Sequence, residues 1–161
     1  MELTSISELC RQNIPGTLTV EYAPITWIDT DRFDDWYVTG ADPDSFPWSD
    51  NQSWLVLPLL GSSIKWREDM EDTNEGPLFK HQLTGIIPHL NELAHLLLEE
   101  TSRYPLVLKM TDKNGRSWIL GTPDTPLRFS YAAENVDGST NNYSIQMIGN
   151  SHRRARGFIS N

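Results

Sequence analysis

Residues 109–131 read KMTDKNGRSWILGTPDTPLRFSY, and this stretch decides the fold class. Apolar and polar residues alternate on both sides of the DKNG segment, which is the pattern of two half-buried β-strands. The Asn114–Gly115 pair readily takes the positive φ angles that a tight hairpin turn needs. A third alternating run follows at 126–131. The stretch therefore predicts antiparallel strands joined by short turns.

Further alternating or β-branched runs predict strands elsewhere in the chain. The predicted strands cover 17–28, 36–40, 53–60, 63–69, 77–87, 106–110, 117–121, 126–133 and 143–148. One amphipathic helix is predicted at about 88–101. Its expected core-facing residues are Leu90, Leu93, Ala94 and Leu97, and His95 is expected on the opposite side. We expect a single, mainly β (α+β) domain over 1–161, an antiparallel β-sandwich or barrel with one flanking α-helix.

Two acidic segments interrupt the strand pattern. Residues 29–52 contain prolines and little strand pattern, which predicts a long acidic arm or loop. The aromatic residues of this arm, including Trp36 and Trp48, predict that it docks on a surface, because disordered segments are poor in aromatics. Residues 67–76 predict an acidic hairpin tip. Both segments are expected to be mobile in an isolated subunit and to be ordered by a neighbour.

The net charge of −9 is unevenly distributed along the chain. Residues 1–75 contain 15 acidic and 4 basic residues, a net charge of −11, whereas residues 76–161 contain 7 acidic and 9 basic residues, a net charge of +2. Such a surface repels phosphate backbones, so specific nucleic-acid binding is not expected. The basic C-terminal tail, 150–161, is expected to contact the acidic half of a neighbouring copy. The candidate interaction residues are Trp36, Trp48, Arg153, Arg154 and Arg156.

The cellular compartment follows from the single cysteine and from the N-terminal sequence. Cys10 excludes an intrachain disulfide and fits folding in a reducing cytoplasm. The N-terminal residues lack the basic and apolar segments of a secretory signal, and no apolar run is long enough to cross a bilayer. We therefore expect a soluble protein that does not bind a membrane.

Residue types used in catalysis are present without the context that catalysis needs. Ser62 and Lys65 have a serine-x-x-lysine spacing, but Ser62 is predicted to begin a strand, whereas in penicillin-recognising enzymes the serine opens a helix. No metal-ligand spacing is seen among the histidines, which are His81, His89, His95 and His152. No catalytic residue, metal ligand or cofactor is therefore assigned, and the protein is not expected to be an enzyme.

One resemblance to a known family rests on the order of predicted elements and on a short motif. The motif is a D-x-N-G turn followed by an aromatic residue, a leucine-glycine step and a proline-leucine strand. Its residues here are Asp112, Asn114, Gly115, Trp118, Leu120, Gly121, Pro126 and Leu127. In this motif, and in its strand order from about 15 to 149, the chain resembles small bacteriophage and prophage tail structural proteins.

The resemblance implies a tail-tube-like subunit. Such proteins are β-sandwiches with a flanking helix that stack as hexameric rings, with a long loop bridging successive rings. It also implies a virion protein that is made in the bacterial host cytoplasm and whose partners are copies of itself and other tail proteins. Two alternatives stay open. The first is a small-ligand-binding β-barrel, and the second is a hydrolase whose acidic site draws on Glu68, Asp69 or Asp72.

Overall fold

The structure, a computed structural model, describes residues 16–40, 42–88, 90–138 and 140–158, so the expectations for Cys10 and His89 lie outside the described residues. The described strands are β1 (Thr17–Pro24), β2 (Leu55–Leu57), β3 (Lys65–Thr73), β4 (Gly76–Pro88), β5 (Leu106–Asp112), β6 (Ser117–Leu120), β7 (Arg128–Val136), β8 (Thr140–Ser151) and β9 (Arg156–Gly157). The described α-helices are α1 (Thr30–Thr39) and α2 (Glu92–Thr101).

The strands form two antiparallel sheets. The five-stranded sheet has the order β2-β1-β5-β6-β9, and the four-stranded sheet has the order β3-β4-β8-β7. The predicted mainly β fold, a β-sandwich with a flanking helix, is confirmed. The hairpin predicted at the start of residues 109–131 is also present, because Met110 pairs with Trp118 and Gly115 has a φ of 78°.

The main core lies between the two sheets. Along β4, His81, Leu83 and Ile87 are buried while Lys80 and Gln82 are exposed, which is the alternation of a strand with one face on a core. The largest fully buried residues of this core come from both sheets: Val20, Leu83, Leu106, Leu108, Met110, Leu120, Leu127, Tyr143 and Met147.

A second, aromatic cluster covers the opposite face of the five-stranded sheet. Val107 of β5 and Ile119 of β6 point to this side, and residues of the acidic segment pack on them. The buried members from that segment are Phe33, Trp36 and Phe46, and Ile28, directly before the segment, belongs to the same cluster. The five-stranded sheet is thus packed on both faces, whereas the outer face of the four-stranded sheet is exposed at residues such as Lys65 and Gln82.

The acidic segment 29–52 contains a helix where the sequence predicts a short strand over 36–40, and that strand prediction is wrong. Asp29 caps α1, because its Oδ1 accepts the N–H groups of Asp31 and Arg32 at 3.1 and 3.2 Å. Phe33 and Trp36 are three residues apart and face the same side. The apolar period is therefore helical, although the local run of aromatic and β-branched residues resembles a strand.

The second acidic segment, 67–76, also differs from expectation. Residues up to Thr73 continue β3 and pair with β4 in unbroken register, so the tip is only the two-residue turn at 74–75. Lys80 of β4 pairs with Glu71 across the strands, and this cross-strand ion pair raises the pKa of Lys80. Charged side chains are accommodated because this part of the hairpin is exposed.

Candidate functional site

The two tryptophans predicted as interaction residues lie within the aromatic cluster. Trp36 is 6% exposed, and its Nε1 donates to the carbonyl oxygen of Asp42 at 2.8 Å. Trp48 is half-buried, with its ring centre 4.6 Å from that of Phe46 and 5.0 Å from that of Trp54. Both side chains therefore hold the acidic segment on its own sheet.

The basic tail contacts helix α1 of the same chain. Arg153 Nη1 lies 2.7 Å from Asp34 Oδ1 as an ion pair without good hydrogen-bond alignment, and the guanidinium lies 4.9 Å from the ring centre of Tyr37. The hydroxyl of Tyr37 donates to the carbonyl of Arg154 at 2.9 Å, and Arg156 Nε donates to the carbonyl of Tyr37 at 3.0 Å. We call these five residues the tail clasp.

The tail clasp combines a partly buried tyrosine with three cations. Burial raises the pKa of Tyr37, and the neighbouring arginines oppose that rise because they favour the phenolate. The acidic partner of Arg153 belongs to the same chain. The contact of these arginines with a neighbouring copy stays a prediction, and the described contacts of the tail are intramolecular.

A buried histidine and a glutamate meet where the tail crosses between the sheets. His81 is 3% exposed, its Nδ1 lies 3.4 Å from Glu68 Oε2, and this Nδ1 makes no hydrogen bond to a described residue. Glu68 Oε2 accepts the backbone N–H of Ala155 at 2.6 Å. Burial lowers the pKa of His81, and the Glu68 carboxylate opposes this by favouring the charged imidazolium.

The carboxylates considered for a hydrolase are not brought together. Glu68 is on the inner face of the four-stranded sheet, whereas Asp69 points outward and pairs with Arg67 at 2.8 Å. Asp72 lies near the exposed end of β3. Within the described ranges, no group of three or more His, Cys, Asp or Glu side chains is arranged to hold a metal ion.

Helix α2 exposes leucines that the sequence predicts to be in the core. Asn91 caps the helix by accepting the N–H of Ala94 at 2.8 Å, and Leu98 is buried. The predicted core positions Leu93 and Leu97 are 69% and 55% exposed. Leu96 is also 53% exposed, so three leucines form one uncovered row at i, i+3 and i+4.

His95 marks the side of α2 that faces the core, which is not the side that the sequence predicts. Its ring lies 5.6 Å from the ring of Tyr131 and 5.9 Å from that of Tyr143, so it faces the sandwich and not solvent. The hydroxyl of Tyr143 donates to the carbonyl of Asn91 at 3.0 Å and holds the start of the helix against β8. Because His95 lies on the side of α2 that faces the sandwich, the leucine row faces outward.

A groove adjoins this leucine row. It has a volume of about 400 Å³ and lies between α2 and the end of β1 and β2. The side chains that line it are mostly apolar or aromatic, and they include Tyr22, Trp27, Leu55, Leu97, Glu100 and Tyr104. We call Leu93, Leu96, Leu97 and this groove the α2 surface.

The exposure of the α2 surface is the feature that the sequence prediction misses. Leu96, Leu97 and Leu98 are consecutive, so the helix carries apolar residues on more than one side. A helix of this kind has more apolar surface than one packing contact covers. That excess is the signal in the sequence that indicates a second contact.

No protein-family model matches the chain, and no curated protein and no solved structure is found to be similar to it. Among the described helices, none is long and apolar enough to cross a membrane.

Proposed function

We propose that the protein is a non-enzymatic structural subunit of a bacteriophage or prophage virion, tail-tube-like, that assembles into rings. Its partners are copies of itself, as in the hexameric rings that the resemblance implies, and other tail proteins. The observation that carries the proposal is the α2 surface, where three leucines are more than half exposed beside an aromatic groove. Contiguous apolar surface of this kind marks interaction sites in soluble proteins.

The rest of the described structure supports an assembly role. The two-sheet scaffold is packed through its middle, so it presents the α2 surface on a rigid support. The aromatic cluster and the tail clasp hold the acidic segment, with α1, on its own chain. Of the two helices, α2 therefore has the larger exposed apolar surface. The turn and strand motif at 112–127 supports the virion setting by resemblance.

The test is self-association of the full chain. We expect sedimentation velocity to show larger species as concentration rises, and negative-stain images to show rings. Leu97→Asp should reduce association, because it places a charge in the apolar surface. Val38→Asp, at a position 72% exposed on α1, is the matched control and should assemble as the wild type does. A wild-type chain that stays monomeric at every concentration would refute the proposal.

A second candidate function is binding of a small apolar ligand, and the groove is the observation that favours it. Its volume of about 400 Å³ falls in the range of ligand pockets, and its aromatic lining suits an apolar molecule. Thermal-shift measurements with fatty acids and small aromatic compounds test it. Saturable stabilisation that Leu97→Asp abolishes would favour this function, and no stabilisation by any compound would exclude these two ligand classes.

A further inference from the structure

The outer face of the four-stranded sheet is the larger sheet face that described elements leave open. The strand register places its outward side chains in rows across the four strands. One row contains Lys65, Thr84, Gln146 and Ser130, and the next contains Arg67, Gln82, Ile148 and Arg128. These rows define what we call the open face.

The open face has a shallow depression of about 500 Å³. Small side chains form its floor, including Ser130, Ala132 and Ser144, and Ile86 lies among them. In the neighbouring row, Ile148 is 49% exposed. A trough with small residues in the middle and isoleucines beside it is shaped to receive a ridge of larger apolar side chains.

The charges of the open face and of the α2 surface are opposite. Lys65 and Arg128 are exposed and make no ion pair with a described residue, while Arg67 pairs with Asp69. Beside the leucine row, the exposed acids of α2 are Glu92, Glu99 and Glu100, and of these only Glu99 has a described ion pair, to Arg103. Within the two rows of the open face the unpaired charges are therefore basic, and the exposed Glu134 of β7 lies two rows beyond Ser130. The unpaired charges of α2 are acidic, an arrangement that favours association of the two surfaces.

The basic residues of the open face and the acidic residues of α2 are also spaced over similar distances. Lys65 on β3 and Arg128 on β7 are three strand spacings of about 4.8 Å apart and lie in adjacent rows, which separates their positions on the sheet by about 16 Å. Glu92 and Glu100 are eight residues apart, which is about 12 Å along a helix. A helix lying across the strands can therefore place one acid towards each edge, with the leucines between them.

We propose that the α2 surface of one copy packs on the open face of a second copy. The inference rests on the proposed function, and it names the partner surface. Because the two surfaces are different, the contact is heterologous, and repeating it builds a ring when the rotation closes. Leu96 and Leu97 would lie against Ile148 and the depression, and Glu92 and Glu100 would lie near Lys65 and Arg128.

Crosslinking between two single-cysteine variants tests the geometry. In a Cys10→Ser background, one chain carries Leu96→Cys and the other carries Ile148→Cys, both at exposed positions. With a short thiol crosslinker, we expect a covalent dimer in the mixture and at least tenfold less in either variant alone. A control mixture uses Val38→Cys with Ile148→Cys and should remain uncrosslinked.

Two other crosslinking outcomes would overturn the inference. Efficient dimer formation by Leu96→Cys alone would indicate that two α2 helices face each other in an isologous contact. No crosslinking in the mixture, while the wild type and both variants still assemble, would show that another surface covers α2, and the proposed function would survive. A wild-type chain that remains monomeric would remove the inference and the proposed function together.

Charge reversal provides an independent readout. Lys65→Glu with Arg128→Glu, or Glu92→Lys with Glu100→Lys, should each weaken self-association by about tenfold at low salt, and less at high salt because exposed charges are screened. Mixing the two double variants should restore association, because in an alternating assembly each contact between the two variants again joins an acidic surface to a basic one. Restoration supports the inference, and unchanged association of both double variants contradicts it.

Discussion

Helices α1 and α2 are both ten residues long, and both begin at a side-chain cap, but they differ in how their apolar residues are covered. α1 is acidic, yet its Phe33 and Trp36 are buried. α2 is rich in leucine, yet only Leu98 is buried. Coverage is therefore decided by where the rest of the chain packs, and not by how apolar a helix is.

The covering of α1 comes from distant parts of the sequence. Val107 and Ile119 of the five-stranded sheet pack on one side of it. The arginines of the tail clasp, more than a hundred residues further along the chain, contact Asp34 and Tyr37. No corresponding segment among the described residues covers the leucine row of α2. This difference suggests an intramolecular role for α1 and an intermolecular one for α2, which the following substitutions test.

The largest effect is expected at Trp36. Trp36→Ala removes the largest buried side chain of α1 and its bond to the carbonyl of Asp42, so the free energy of unfolding should fall by about 3–5 kcal/mol. Urea unfolding followed by fluorescence measures this free energy. Val38→Ala, on the exposed side of the same helix, should change it by less than about 0.5 kcal/mol. Equal effects at the two positions would mean that α1 is not packed as described.

A smaller effect is expected from the tail clasp. Arg153→Gln removes the ion pair with Asp34 and the stacking on Tyr37, and both groups are partly exposed, so a loss of about 1 kcal/mol is expected. A double-mutant cycle with Asp34→Asn separates the ion pair from the stacking. If Arg153 instead met a neighbouring copy, its replacement would weaken self-association and leave the unfolding of the monomer unchanged.

The sheets and the DKNG hairpin could be predicted from the sequence, because alternation and Asn-Gly turn chemistry are local signals. The helix at 30–39 could not be read from its aromatic and β-branched run alone. Its evidence is the Asp29 cap and the spacing of Phe33 and Trp36, and the packing on Val107 that stabilises it depends on contacts far along the chain.

The candidate site was predictable in part. The tryptophans and arginines were predicted to contact other subunits, and their described contacts lie within the chain. Charge and composition cannot tell whether a contact is made within a chain or between chains. The direction of the leucine row depends on His95 packing against Tyr131 and Tyr143, which lie on strands remote in sequence. Helical periodicity defines a stripe, and tertiary contacts decide which way the stripe faces.

Acid is expected to lower the free energy of unfolding through protonation of His81, with no effect at neutral pH. Burial lowers the pKa of His81 below 6.5, so the unfolded chain binds this proton more readily than the folded chain. The stabilisation is complete above pH 6.5 and is lost as pH falls from there through the folded pKa. His81→Gln should therefore flatten the fall in unfolding free energy between pH 7 and pH 5. An imidazole that NMR shows to titrate above pH 6.5 would reverse the sign.

The smallest change in stability is expected at the α2 surface, and it gives the sharpest test of the comparison. Leu93 is 69% exposed, so Leu93→Ala should alter the unfolding free energy of the monomer by no more than about 0.5 kcal/mol. Leu98→Ala is the matched control, because the same substitution at a buried position of the same helix should cost about 2–5 kcal/mol.

Self-association should show the opposite order. Leu93→Ala should weaken it measurably in sedimentation velocity, because an exposed leucine at an interface loses its contacts on truncation. Leu98→Ala, measured where the chain remains folded, should weaken it less, since this side chain faces the core of its own chain. If Leu93→Ala destabilises the isolated chain as strongly as Leu98→Ala does, the leucine row is covered within the chain. The two helices would then differ only in which segment covers them.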